Sequence, residues 1–243
     1  MSLECLTAPF QLRNNYIASK KFNFKELKDY IGSVKLHGPA NICAAGMSLK
    51  DNINKLKTIK GDIFAVKNVK YLIDNGVIPK YSIHFDPKPT EVDLVHLDQR
   101  ITYLVNHQCD PTVFEKLRGY DVYLIDTKLH SAWSPGGRYW FAGSNSSMAS
   151  LYFTFNAGYR SVNLFGVDFC MPRNGETHID RTSDWMLKND RFIEVHGYRT
   201  TYAMAQMAHE MMKNMQFMGR NTRYVVHGTG LLAHFLKKNE KIL

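Results

Sequence analysis

Asn41-Ile-Cys-Ala-Ala-Gly-Met-Ser-Leu-Lys50 decides the fold. An apolar run stops at a turn of small residues, and Ser48-Leu49 opens an amphipathic segment. Strand, tight turn and helix in that order bring backbone N–H groups and the positive end of a helix dipole to one point, where an anion such as phosphate can sit. The same order also serves to pack a helix closely on a sheet, so the turn alone supports both readings.

The rest of the chain repeats the alternation. Strand candidates are Asn41–Ala45, Asp62–Lys67, Tyr81–Phe85, Ile101–Asn106, Val122–Asp126 and Ser161–Phe165, with helical patterns near 49–58, 69–75, 111–118 and 144–157. Several strands are continuously apolar, as expected where both faces of a sheet are covered. The expected fold is α/β: a Rossmann-like, mostly parallel sheet with helices on both faces, in one domain over residues 37–243. Residues 1–36 stand outside the alternation, carry a helical pattern near Phe24–Ile31 and read as an N-terminal extension. Arg199–Met218 reads as one long helix whose methionines at 204, 207, 211, 215 and 218 fill the core.

Composition sets the class. A chain of 243 residues, 44% hydrophobic and 22% charged, suits a soluble globule with a sizeable core. No apolar run approaches the roughly 20 residues that span a bilayer, and the polar start does not read as a secretory signal. Cys5, Cys43, Cys109 and Cys170 are scattered without a Cys-x-x-Cys pair, which disfavours a zinc knuckle or a disulfide framework and suits a reducing cytoplasm. The net charge of +9 favours anionic partners, although solubility alone explains such an excess equally well.

Polar residues return to the ends of the predicted strands. Asn68 follows the second strand, where it suits ribose or base recognition or the cap of the next helix. Asp86, fixed by Pro87, and Asp168, in Gly166-Val-Asp168, are strand-tip carboxylates suited to a sugar hydroxyl or a metal–phosphate complex. Ser144, Asn145 and Ser146 open an apolar helix and offer a second anion or hydroxyl site. His178 and His196 follow, the latter beside a glycine before the long helix, and an imidazole there suits a general base. Two long interruptions, Thr127–Gly143 and Val167–Asp190, read as either a lid or a fixed aromatic cover.

Ala44-Ala-Gly-Met-Ser-Leu49, Asn68, and Gly76-Val-Ile-Pro-Lys-Tyr81 running to Asp86 resemble the 6-hydroxymethylpterin diphosphokinase MptE-like domains. Gly158–Asp168, then Thr177-His178 and Thr200, continue that resemblance, which covers about residues 38–235. Ala44 and Met47 depart from the family's Gly-x-Gly-Pro-Ser-Leu turn. Gly158–Phe169 and Lys188–His196 also resemble bacterial sialyltransferases that use a nucleotide-activated sugar. By that resemblance His196 is the base that deprotonates an acceptor hydroxyl.

These readings lead to a cytoplasmic nucleotide-dependent transferase, with glycosyl transfer from a nucleotide-sugar donor as the first expectation. Ala45, Gly46, Ser48, Leu49, Asn68, Asp86, Ser144, Asn145 and Ser146 are the expected nucleotide contacts, and His196, Asp168 and His178 the expected catalytic groups. The alternative is pyrophosphoryl transfer from ATP, with Asp86 and Asp168 as magnesium ligands. A third reading is a non-catalytic binder of nucleotides or nucleic acid, in which the aromatics of residues 133–140 stack on bases. The acceptor is a hydroxyl of a sugar, a small molecule or a nucleic acid, and an oligomer is compatible with all three readings.

Overall fold

The apolar runs become one eight-stranded, all-parallel sheet in a computed structural model, which describes residues 8–127, 145–171 and 191–239. Its strands are β1 (Lys25–Glu26), β2 (Ala40–Cys43), β3 (Asp62–Val66), β4 (Tyr81–His84), β5 (Thr102–Asn106), β6 (Asp121–Ile125), β7 (Ser161–Phe165) and β10 (Arg223–His227). They lie in the order β1-β6-β5-β4-β3-β2-β7-β10. From β2 the chain adds β3 to β6 stepwise on one side, then crosses back to place β7 and β10 on the other. The winding therefore reverses between β2 and β7, which pair in register from Ala40↔Val162 to Cys43↔Phe165. Open α/β sheets receive ligands at such a reversal, beyond the carboxyl ends of the strands.

Side-chain alternation along each strand divides the core into two layers. On one face Ile42, Phe64, Tyr81, Leu104 and Leu164 pack against helices α6 (Ser146–Asn156), α7 (Tyr202–Met218) and α8 (Leu231–Asn239). On the other, Cys43, Ala65, Tyr103, Val105 and Phe165 meet α3 (Ser48–Leu56), α4 (Val69–Asp74) and α5 (Pro111–Lys116). Phe64 stacks on Tyr81 with ring centroids 4.7 Å apart and takes the edge of Tyr159 at 5.8 Å. Each such pair adds about 1 kcal/mol to simple burial. Helix starts follow sequence chemistry: Asp110 accepts from Thr112 N and Thr201 from Met204 N, capping α5 and α7.

Met211, Met215 and Met218 are buried in α7 as core filling, while Met204 and Met207 are half-buried. That helix begins later than expected, at Tyr202. Tyr198–Thr201 is instead strand β9, paired antiparallel with β8 (Phe192–Val195). His196 and Gly197 form the hairpin turn with φ of 52° and 82°, the left-handed pair that a two-residue hairpin requires. Ahead of β2, α1 (Pro9–Ser19) and α2 (Leu27–Tyr30) bury Leu12 and Leu27, and β1 extends the sheet beside β6. Among the described residues no helix is long and apolar enough to cross a membrane.

Candidate functional site

Because every strand of the main sheet runs the same way, the turns after β2, β3, β4 and β7 share one edge. At the reversal point the chain is drawn tight: Ala44 N donates to Phe165 O and Gly46 N to Gly166 O, both at 2.8 Å. A Cβ on Gly46 would lie 2.4 Å from Gly166 O and 2.7 Å from Asp168 Oδ2, so only glycine fits. The head of α3 is also occupied. Asp168 accepts the backbone N–H of Ser48 at 2.9 Å and its hydroxyl at 2.5 Å. Leu49 N and Lys50 N close onto Gly46 O and Met47 O. The α3 helix start is thus answered by the protein's own carboxylate, and packing requires Gly46. Burial, only partly offset by Ser48, raises the Asp168 pKa above the usual carboxylate range.

Asn68 sits at the tip of β3, wholly buried, and precedes α4 without capping it through its side chain. Its amide nitrogen donates to Ala44 O at 3.1 Å, while its Oδ1 has no hydrogen-bond donor among the described residues. Beside it Lys67, in the left-handed region at φ 63°, reaches Glu91 Oε2 at 2.9 Å and Asp86 Oδ2 at 3.4 Å. Glu91 comes from a 3₁₀ turn, Pro89–Leu94, and also contacts His84 Nδ1 at 3.1 Å. Burial opposes ionisation of Glu91, but Lys67 and His84 outweigh it and hold its pKa below normal. Asp86 Oδ1 accepts from Lys88 N, so this carboxylate is both a turn cap and a lysine partner.

The other helix start at this edge belongs to α6, which returns from β6 to β7 and therefore points its N-terminus at the carboxyl side. Asn145 caps it by accepting Met148 N at 2.9 Å, and Ser146 is buried at its first position. The Asn145 Nδ2 is buried with no acceptor among the described residues. Asn68 and Asn145 thus hold opposite kinds of unanswered group: an acceptor at the tip of β3 and a donor at the head of α6. Buried polar atoms without partners are costly.

His196 is exposed on its hairpin, and its ring stacks on His234 at 4.9 Å. His234 lies one turn into α8, whose Leu231 N donates to Asp168 O at 2.8 Å. Thr200 Oγ1 bonds to Phe169 O at 2.8 Å, and Met171 N to Arg199 O at 2.8 Å, so the hairpin is fastened to the exit of β7. His196 is therefore joined to the Asp168 side of the edge, through α8 and the exit of β7. Asp86 and Asp168 are kept apart: β4 and β7 are separated by β3 and β2, three strand spacings or about 14 Å. Ser144, His178, most of both long interruptions and the aromatics of 133–140 lie outside the described residues.

Sequence reading missed Lys67, Glu91 and the Ser48–Asp168 clamp. Lys67 and Glu91 carry no local signal, since their pairing depends on the 3₁₀ turn folding back over β4. The clamp had one: Gly228-Thr-Gly230 after β10 is glycine-rich because a Cβ at either glycine would meet Ser48 or Asp168, at 2.5 Å in each case.

The sheet and its edge define a Rossmann-like α/β protein with its polar groups gathered at the topological reversal. The chain belongs to the 6-hydroxymethylpterin diphosphokinase MptE-like family, whose model matches residues 13–174. No curated protein matches it. Among solved structures, the sialyltransferase CstII from Campylobacter jejuni in complex with CMP-3FNeuAc is 18% identical, with 81% of this chain and 84% of that one covered and a TM-score of 0.48. A mammalian sialyltransferase in complex with Gal-beta-1-3GalNAc-ortho-nitrophenol is 8% identical, with 92% and 82% covered and a TM-score of 0.50, a likeness of fold.

Proposed function

We propose that the chain is a nucleotide-dependent transferase that moves a glycosyl group from a nucleotide-sugar to an acceptor hydroxyl. The observation that carries this reading is the complementary pair of buried atoms, Asn68 Oδ1 and Asn145 Nδ2, at the reversal edge. An unanswered acceptor suits a ribose hydroxyl or an exocyclic amine, and an unanswered donor at a helix start suits a phosphate oxygen. A nucleotide supplies both. In this assignment Ala45, Gly46 and Leu49 form the floor beneath the nucleoside, while Ser48 is held in place by Asp168. Ser144, Asn145 and Ser146 receive the phosphates, and Asp86 offers a carboxylate to the sugar.

Chemistry then needs one new bond and one proton transfer. The acceptor oxygen attacks the anomeric carbon, the bond from that carbon to phosphate breaks, and the nucleotide leaves with the electron pair. The α6 dipole takes up the charge on the departing phosphate. His196, with His178 as the alternative, accepts the proton of the attacking hydroxyl.

Family membership favours a second reading, pyrophosphoryl transfer from ATP. Magnesium is the ion such a reaction uses, and the carboxylates here fit a shared ion poorly. Asp86 is engaged by Lys67 and Lys88, Asp168 by Ser48, and the two strand tips stand about 14 Å apart. This disagreement is the ground for preferring glycosyl transfer. A thermal-shift screen of the full chain against nucleotides and nucleotide-sugars, with and without magnesium, separates the readings. Stabilisation by one nucleotide-sugar in the presence of a chelator supports the first; stabilisation by ATP only with magnesium replaces it with the second.

A further inference from the structure

At the far end of the same edge, β1, β5 and β6 bring three ligand-type atoms together outside the proposed nucleotide site. His107 follows β5 and is fully buried, Asp126 follows β6, and Glu26 lies on β1. The His107 Nε2 is 3.0 Å from Glu26 Oε2 and 3.7 Å from Asp126 Oδ1, and all three atoms lie within 4.8 Å of one another.

The orientation of the imidazole is fixed from behind. Ser19 Oγ gives its only proton to Tyr16 O at 2.7 Å, so its contact with His107 Nδ1, also 2.7 Å, requires the ring to donate there. A histidine that donates from one nitrogen and turns the other toward carboxylates has the arrangement of a metal ligand held by its outer shell. Asp126 supplies an independent sign. Its Oδ1 is shielded from solvent, yet no donor reaches it among the described residues. Among the described residues Lys20 brings the one ammonium to this point, but it pairs with the other Glu26 oxygen, Oε1, at 2.8 Å and stands 3.3 Å from Nε2. Glu26 Oε2 meets the ring at Nε2, and Asp126 Oδ1 is left beside them with no donor among the described residues.

We propose that Glu26, His107 and Asp126 form a binding site for a divalent transition-metal ion, with zinc the best match, in competition with the Lys20 ammonium. Ligands 2.0–2.1 Å from a tetrahedral ion are about 3.3 Å from one another. The separations of 3.0 and 3.7 Å from His107 Nε2 bracket that value and the two carboxylate oxygens lie within 4.8 Å of each other, so rotations of Glu26 and Asp126 would close the site. One imidazole and two carboxylates suit zinc over calcium or magnesium, which prefer oxygen alone. Two carboxylates balance the ion's charge, and Lys20 must swing outward, which its 44% exposed side chain permits. The fourth position is left to water. Such an ion would staple the short edge strand β1 to the ends of β5 and β6.

Calorimetric titration of the full chain with zinc alone tests this, with folding of each variant checked by circular dichroism. His107 is too buried to substitute safely, so Asp126→Asn and Lys20→Met are used. The wild type is expected to bind one zinc ion in a saturable step. Asp126→Asn should weaken it at least tenfold, and Lys20→Met should tighten it several-fold by removing the competing charge. Absence of a saturable step, or a step unaltered in both variants, overturns the proposal: the cluster is then an ion-paired latch, and any zinc bound lies on other histidines.

Discussion

The carboxylate of Asp168 closes on Ser48, 120 residues earlier in the chain, accepting both its backbone N–H and its hydroxyl. One residue thereby caps α3, anchors the exit of β7 and occupies the place where a free anion would otherwise sit. Glycines 46, 228 and 230 crowd around the pair because no side chain fits beside it.

Replacing Asp168 by Asn keeps this geometry, since the amide oxygen still accepts from Ser48 N and the NH2 group donates to Ser48 Oγ. Burial raises the native pKa of Asp168. The contribution of this group is therefore fully present below the unfolded value of about 3.9 and is lost as pH rises through the native value. Urea denaturation of both proteins should show Asp168→Asn gaining on the wild type as pH increases from 4 to 7. A gap that does not change with pH would mean that the charge is not strained.

Gly46→Ala should destabilise the fold by about 1–3 kcal/mol, the usual cost of forcing an atom into packed surroundings. The backbone of Gly166 and the Asp168 carboxylate leave no room for the added methyl. Equal stability of Gly46→Ala and wild type would contradict the close packing at the reversal.

Glu91→Gln should cost about 3 kcal/mol, because it leaves the largely enclosed Lys67 ammonium with only the longer contact to Asp86. Glu91 has a depressed native pKa, so its contribution is present above the unfolded value of about 4.3 and is lost as pH falls through the native one. The difference between Glu91→Gln and wild type, measured by denaturant midpoint, should shrink on acidification. An unchanged difference at low pH would assign the loss to packing.

His196→Asn tests the proposed base without disturbing the hairpin, since asparagine tolerates the left-handed φ of this turn. Turnover should drop roughly 10²–10⁴-fold with nucleotide affinity unchanged. A parallel loss of affinity would make His196 a binding residue, and full activity would move the proton acceptor elsewhere.

Six of the seven main-sheet strands from residue 40 onward were legible because buried parallel strands are written as continuous apolar runs, and their ends were matched within one or two residues; the seventh, β10, was not among the strand candidates. Strand order was not, since the return of β7 to the side of β2 depends on how crossovers pack. β1 is two residues long and has no pattern of its own. The β8–β9 hairpin did carry a signal in His196-Gly197 between two extended stretches, although its alternation is weak. Asn68 and Asn145 were legible as candidates from position alone. Their unanswered atoms were not, because satisfaction depends on neighbours contributed by distant segments.

The central claim, a nucleotide seated between β2, β3 and the head of α6, is tested most directly by amide NMR of the labelled chain during titration with the nucleotide-sugar selected by the thermal screen. The account predicts the largest shifts at residues 44–49, at the Asn68 and Asn145 side-chain amides and at Ser146, and loss of those shifts in Asn68→Leu. Saturable shifts confined to other parts of the molecule, or identical shifts in Asn68→Leu, would contradict it.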